Sequence, residues 1–331
     1  MLSPRTQDAD IDFNTEQTMD SERIPLIFDT DLGEDIDDLY ALYLALFHPR
    51  LEVLAVTTVH GDTQAKARLA RKVLRLAGSP EIPVGAGIGV SADRIRRGQT
   101  RPDHQASATF VKYVTEADPE CGQDYPAASE VIARVLADSP LPVALVSEGA
   151  MSNLAEAIRV ADESTRAKIR CVAAMAGETQ AVLNEYNVIC DPEAADYVFN
   201  CGLPVFMGTY HLTARLAISM NDVERHFGQR NTPIQEVLYD CTALWAPHRG
   251  RKPGPVLYDL VPVFWLADAG VVRTRWSTVR VELDGRYTRG QTIRMGEAEQ
   301  GNVLESVDLN PEAMVHEFLL IIRAAPGRGV V

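Results

Sequence analysis

Positive charge is scarce in this sequence. Its 331 residues hold 32 Lys and Arg against 46 Asp and Glu, a formal net charge of -14. Nucleic acid and anionic membrane surfaces are recognised through basic footprints, and none is legible here, so neither is an expected partner. Cysteine is also sparse. Cys121, Cys171, Cys190, Cys201 and Cys241 are odd in number, widely spaced and without a CxxC pair, which argues against a disulfide framework or a zinc site and fits a reducing cytoplasm. No run approaches the ~20 apolar residues that cross a bilayer. The N-terminus MLSPRTQDADIDFNTEQTMDSER has neither the basic nor the apolar region of a secretory signal. The expectation is a soluble chain whose residues 1–22 form a disordered acidic tail and whose residues 23–325 form one domain.

What is present points to an α/β fold. Apolar runs such as IPLIF, LEVLAVTTV, LPVALVS, IRCVAAM and LPVFM alternate with helical patterns such as DDLYALYLALF, TQAKARLARKVLRL and MSNLAEAIRVA. Strands apolar along their whole length, each followed by an amphipathic helix, build a mostly parallel central sheet with helices on both faces. Ser152 and Asn153 are expected to cap a helix, and Gly78 to end one. Asp191-Pro192 reads as the start of another. Residues 218–254 are polar and rich in Pro, Gly and aromatics, suiting helices and loops that cap the sheet. Near the C-terminus, STVRVELDGRYTRGQTIRM alternates with period two around Asp284-Gly285 and reads as a hairpin.

The densest chemistry lies where the first strand should end. FDTDLGEDIDDLYAL carries five aspartates and a glutamate within residues 29–38. In open α/β sheets ligands sit at the carboxyl ends of strands, so these carboxylates point to the expected crevice. Like charges so close raise one another's pKa unless a cation joins them. A hard divalent ion answers that need, and calcium, with six to eight oxygen ligands, suits it better than magnesium. Acids in a helix's first turn also favour the positive end of its dipole without binding anything. The spacing is not that of an EF-hand loop.

These residues carry a resemblance. FDTDLGEDIDDLYAL is similar to the N-terminal signature of the inosine-uridine preferring nucleoside hydrolase family, in the branch with two extra residues between glycine and the DD pair. VTTVHGD, ARKVLRLAG, IPVGAG, VSEGAMSNLAEAI, MAG, NEYNVICDPEAADYVFNCGLPV, YDLVPVFWL and VELDGRYTRGQT follow in the family's order, over about residues 24–323. The resemblance implies a single nucleoside-hydrolase-like domain of Rossmann-like topology, a homodimer or homotetramer, and calcium-dependent hydrolysis of a ribonucleoside N-glycosidic bond. It implies Asp31, Asp38 and Asp259 as metal ligands, with the main-chain carbonyl of Glu148. Asp37 would be the base that activates water. Glu185 and Asn187 would contact the ribose and stabilise the oxocarbenium charge that builds at C1′.

The chain departs from the pattern at several points. Tyr258 stands where the family commonly has histidine before Asp259, and a phenol of pKa about 10 is a weak acid at neutral pH. Asp62 and Glu178 replace asparagines and would add charge to the pocket, favouring a cationic or otherwise altered ligand. Asp35 has no counterpart in the shorter branch. Trp245 and His248, in WAPHRGRKPGP, are candidates for base recognition, while His60 and His211 are as well read as structural. A member that binds nucleosides without turnover, or a tailoring hydrolase for modified nucleosides, stays open as an alternative. The acidic site has no P-loop or basic clamp beside it to suggest phosphoryl transfer.

Overall fold

The computed structural model describes residues 23–99, 109–248, 253–297 and 301–325, so the tail expected over residues 1–22 lies outside it. Among these described residues nine strands form one sheet: β1 (Ile24–Thr30), β2 (Leu51–Thr58), β3 (Val84–Ala86), β4 (Val143–Ser147), β5 (Ile169–Met175), β6 (Val205–Gly208), β7 (Val272–Val281), β8 (Thr292–Glu297) and β9 (Val303–Leu309). Their order is β3-β2-β1-β4-β5-β6-β9-β7-β8. The first six run parallel, and β9 joins parallel to β6. β7 is antiparallel to both its neighbours. The chain is an α/β protein with a mostly parallel sheet, as its alternating pattern predicts.

Burial on both faces explains why the strands are apolar without interruption. Leu26 and Phe28 of β1 face one core cluster, which contains helix Asp37–Phe47, helix Leu260–Ala267 and Phe318 of helix Pro311–Ala324. Ile27, between them, faces a second cluster with Ile132, Leu154 and Val198 from helices Ala128–Asp138, Ser152–Val160 and Pro192–Phe199. The region expected to cap the sheet folds into helices Met220–Phe227 and Pro233–Trp245. They dock on the first face through Tyr40, whose hydroxyl lies 3.0 Å from that of Thr242 and whose ring meets Phe227 edge-on.

Of three local expectations, one is met and two are refined. Gly78 does end helix Thr63–Leu76, in a left-handed conformation with φ 82°. Helix Ser152–Val160 instead has no side-chain cap, because Ser152 donates to Asp191 Oδ2 at 2.6 Å and Asn153 is turned into the sheet. β7 and β8 do form the hairpin, with Val281 opposite Thr292, but no tight turn forms at Asp284-Gly285. Glu282 Oε1 accepts the amides of Asp284 and Gly285 at 2.8 and 3.0 Å and organises the longer connection. Among the described residues, no helix is long and apolar enough to cross a membrane.

Candidate active site

The parallel strand order turns back between β1 and β4, which is where an open α/β sheet leaves a crevice at its carboxyl edge. The segment after β1 passes through Gly33, at φ 113°, into helix Asp37–Phe47. The segment after β4 passes through Glu148 and Gly149. A Cβ on Gly149 would sit 2.8 Å from Val59 Cγ1 and 3.1 Å from the Asp31 amide nitrogen, so glycine is what lets the two turns close together. Between them and the C-terminal half lies a cavity of about 380 Å³.

Its lining is acidic and aromatic. Asp31, Glu34, Asp35, Asp37, Asp38, Glu148, Glu185 and Asp259 contribute carboxylates, and Tyr186, Tyr210 and Tyr258 contribute rings. Asp37, Asp38 and Asp259 bring carboxylate oxygens within 4.8 Å of one another. All three are buried. Asp38 accepts a hydrogen bond from Thr30 Oγ1, yet burial, and then the charges of Asp31 and Asp37, push its pKa well up. Asp259 is raised for the same reasons, burial first and Asp37 next. It occupies the N-cap position of helix Leu260–Ala267 but makes no capping bond, so its carboxylate is not spent on the helix.

Asn187 and Glu185 come to the same cavity by a different route. Glu185 caps helix Tyr186–Cys190: Oε1 accepts the amide of Asn187 at 2.8 Å, and Oε2 those of Val188 at 3.0 Å and Gly177 at 3.1 Å. Burial raises its pKa. The Asn187 amide donates to the carbonyls of Met175 at 3.0 Å and Glu148 at 3.4 Å. The structure thus brings Asp31, Asp37, Asp38, Glu148, Glu185, Asn187, Tyr258 and Asp259 around one space.

Four expected substrate residues fall outside it. Asp62 is exposed and caps helix Thr63–Leu76 through the Ala65 amide at 3.0 Å, because the chain reverses at left-handed His60 and Gly61 before reaching it. Glu178 is buried, but its oxygens accept the amides of Gln180 at 2.6 Å, Ala181 at 3.2 Å and His211 at 2.9 Å. The His211 ring also lies 3.2 Å from it. His248 is exposed at the end of a short 3-10 turn. Trp245 reaches the site only indirectly, donating its indole N–H to Asp35 Oδ1 at 2.7 Å. His60 packs edge-on against Tyr186, with Nε2 3.6 Å from Cys190 Sγ.

One pair is absent from the sequence reading. Lys66, 0% exposed, forms an ion pair with Glu34 and donates to the Val59 carbonyl at 3.2 Å. The signal was available: Lys66 falls three, four and seven residues before the buried Leu69, Ala70 and Val73, on the apolar stripe of its helix.

At the cavity wall Tyr258 stacks on Tyr210, with centroids 5.6 Å apart and planes 18° from parallel. Burial, then Tyr210 and Asp37, push the Tyr258 phenol further above neutrality. The donors gathered at the floor are hard carboxylate oxygens, and both side-chain oxygens of buried Glu148 lack a hydrogen-bond partner among the described residues. That donor set fits a hard cation and does not suit a soft one.

Both the sequence and the fold have relatives among known proteins. The profile of the family described as inosine-uridine preferring nucleoside hydrolase matches residues 26–315. A pyrimidine-specific ribonucleoside hydrolase, RihA, from Klebsiella pneumoniae is 32% identical over 283 residues, covering 82% of this chain and 88% of that protein. The RihA of Salmonella typhi is 32% identical over 282 residues, with the same coverage. Among solved structures, the plant nucleoside hydrolase PpNRh1 superposes with a TM-score of 0.76 at 24% identity, covering 92% of this chain and 100% of that one. A purine-preferring ribonucleoside hydrolase from Gardnerella vaginalis gives 0.75 at 23% identity, covering 90% and 98%. With nearly the whole sheet and the acid-bearing turns inside the matched span, the chain belongs to the inosine-uridine preferring nucleoside hydrolase family.

Proposed function

We propose that this cavity hydrolyses the N-glycosidic bond of a ribonucleoside or related N-riboside. The observation that carries the reading is the buried carboxylate triad at the turning point of the sheet, held by residues 37, 38 and 259. In this reading Asp31, Asp38, Asp259 and the Glu148 carbonyl would hold calcium, which would supply an anchor for the ribose hydroxyls and lower the cost of deprotonating water. Asp37 accepts that proton. The water oxygen bonds to C1′ with inversion as the C1′–N bond breaks, its electron pair leaving with the base, which then takes up a proton.

Asn187 and Glu185 line the ribose side. Because three backbone amides fix the Glu185 carboxylate, its field is preorganised towards the positive charge that develops at C1′, with little reorganisation during reaction. The stacked Tyr258 and Tyr210 supply a ring face for the base. The chain is taken to act as a homodimer or homotetramer, as its resemblance implies.

The test is release of ribose from a panel of purine, pyrimidine and modified ribonucleosides, with calcium and with EDTA, on the wild type and on Asp37→Ala. Calcium-dependent release that the variant loses supports the reading. Absence of release from every compound in the wild type, with calcium bound, overturns it.

A further inference from the structure

The turn after β4 holds a side chain that the proposed chemistry does not use. Glu148 is 1% exposed, lines the cavity, and among the described residues has no hydrogen-bond partner at Oε1 or Oε2. The charges that act on it are unfavourable: Asp37 and Asp31 press on it, and its own charge acts on Asp259. The backbone cannot turn it away. Its amide donates to the Asp29 carbonyl at 2.8 Å, its carbonyl accepts from Asn187, and the following residue, Gly149, is wedged against Asp31 and Val59. A buried carboxylate with neither a donor nor a cation is costly, and costlier beside like charges. A cation on the cavity floor removes both penalties.

We propose that the carboxylate of Glu148 is itself a metal ligand, so that this residue serves the cation with its side chain as well as its main chain. The inference rests on the cation site proposed above and adds one anionic oxygen donor to it. Calcium accommodates the addition because it accepts six to eight oxygens in tolerant geometry and binds more tightly as ligand charge rises. The side chain then has a reason to be acidic at a position where only the carbonyl is otherwise required. Apart from the cation, the same carboxylate is a burden on the fold.

The two halves of this inference give opposite signs in one experiment. The full chain, stripped with EDTA, is titrated with calcium chloride by calorimetry and melted with and without calcium, as wild type, Glu148→Gln and Glu148→Ala. Glu148→Gln keeps shape and carbonyl while removing the charge; it is expected to bind calcium at least tenfold more weakly. The metal-free variant is expected to melt above the metal-free wild type, and to gain less from added calcium. Glu148→Ala gives a second reading that does not depend on how the new amide is accommodated. Calcium affinity within twofold of wild type in either folded variant overturns the inference, as does a metal-free variant that melts lower while binding calcium normally. A wild type that binds no calcium overturns the cation site as a whole, whereas ribose release with unchanged variant affinity leaves the hydrolase reading standing and removes only this ligand.

Discussion

Asn153 Nδ2 donates to Asp29 Oδ1 across 2.8 Å, joining the first turn of the helix after β4 to the last residues of β1. The same amide donates to the Thr58 carbonyl at 3.0 Å, and its oxygen accepts the Ile88 amide at 2.9 Å. One side chain therefore links three turns at the carboxyl edge of the sheet. Asp29 is fully buried, and burial pushes its pKa up to about 7 in spite of Thr57 and Asn153. Asn153→Leu takes this partner from the Ile88 amide, the Thr58 carbonyl and Asp29 Oδ1, which keeps only the Thr57 hydroxyl at 2.6 Å. It is expected to lower stability by about 1–3 kcal/mol, read as a shift in the urea midpoint.

Lys66 and Glu34 give a sharper test because both are buried. Lys66→Met takes the ammonium away from the buried Glu34 carboxylate, which keeps the Tyr186 hydroxyl at 3.4 Å, and is expected to cost about 3–5 kcal/mol, while the double variant Lys66→Met/Glu34→Leu recovers most of that loss. Chemical denaturation of the two variants measures the difference directly. A double variant no more stable than the single one contradicts the pairing.

Tyr258 separates stacking from proton transfer. Its raised pKa makes it a poor acid, so Tyr258→Phe, which keeps the ring on Tyr210, is expected to retain kcat within about fivefold, far from the 10²–10⁴-fold of a lost general acid. Tyr258→Ala removes the stack and is expected to raise KM by about 2- to 12-fold, corresponding to about 0.5–1.5 kcal/mol. Steady-state kinetics on any substrate the panel identifies decides between them.

His48 provides a pH dependence remote from the cavity. Burial, then Arg50, hold its pKa below the ordinary 6.5, with Asp268 opposing. The unfolded chain therefore binds the proton more readily. The stability that neutral His48 provides is fully present above pH 6.5 and is lost as pH falls through that value towards its folded pKa. His48→Gln is expected to lose less stability than wild type between about pH 7.5 and pH 5, measured as the change in urea midpoint.

The sequence made some of this legible because the determinants are local. Asp31, Asp37 and Asp38 lie within one strand-to-helix turn, and Gly33 between them marks the bend, so their convergence needed only the strand and the helix to be recognised. Asp259 is more than 200 positions away and came from the resemblance. The misses are contacts between distant segments or choices among local donors. Asp62 and Glu178 were expected in the pocket, yet one met the amides of a helix start and the other those of its own loop. An exposed amide row competes successfully for a nearby carboxylate. β9 is not legible because Glu305, Ser306 and Asp308 interrupt VLESVDL, so it lacks the unbroken apolar run of the other inner strands, and its place between β6 and β7 depends on contacts distant in sequence. The unpartnered state of Glu148 is a property of its surroundings and has no signature in the letters around it.

The bond between Trp245 and Asp35 has a spectroscopic consequence. Trp245 is buried at the end of helix Pro233–Trp245, and its indole N–H is held by a carboxylate of the acid-bearing loop, 210 positions earlier in the chain. A negative charge at the pyrrole edge of an indole alters the energy of its excited state. Any event that draws Asp35 towards the cavity, or releases it, therefore changes the colour and yield of Trp245 emission, and the protein carries its own fluorophore for watching that loop.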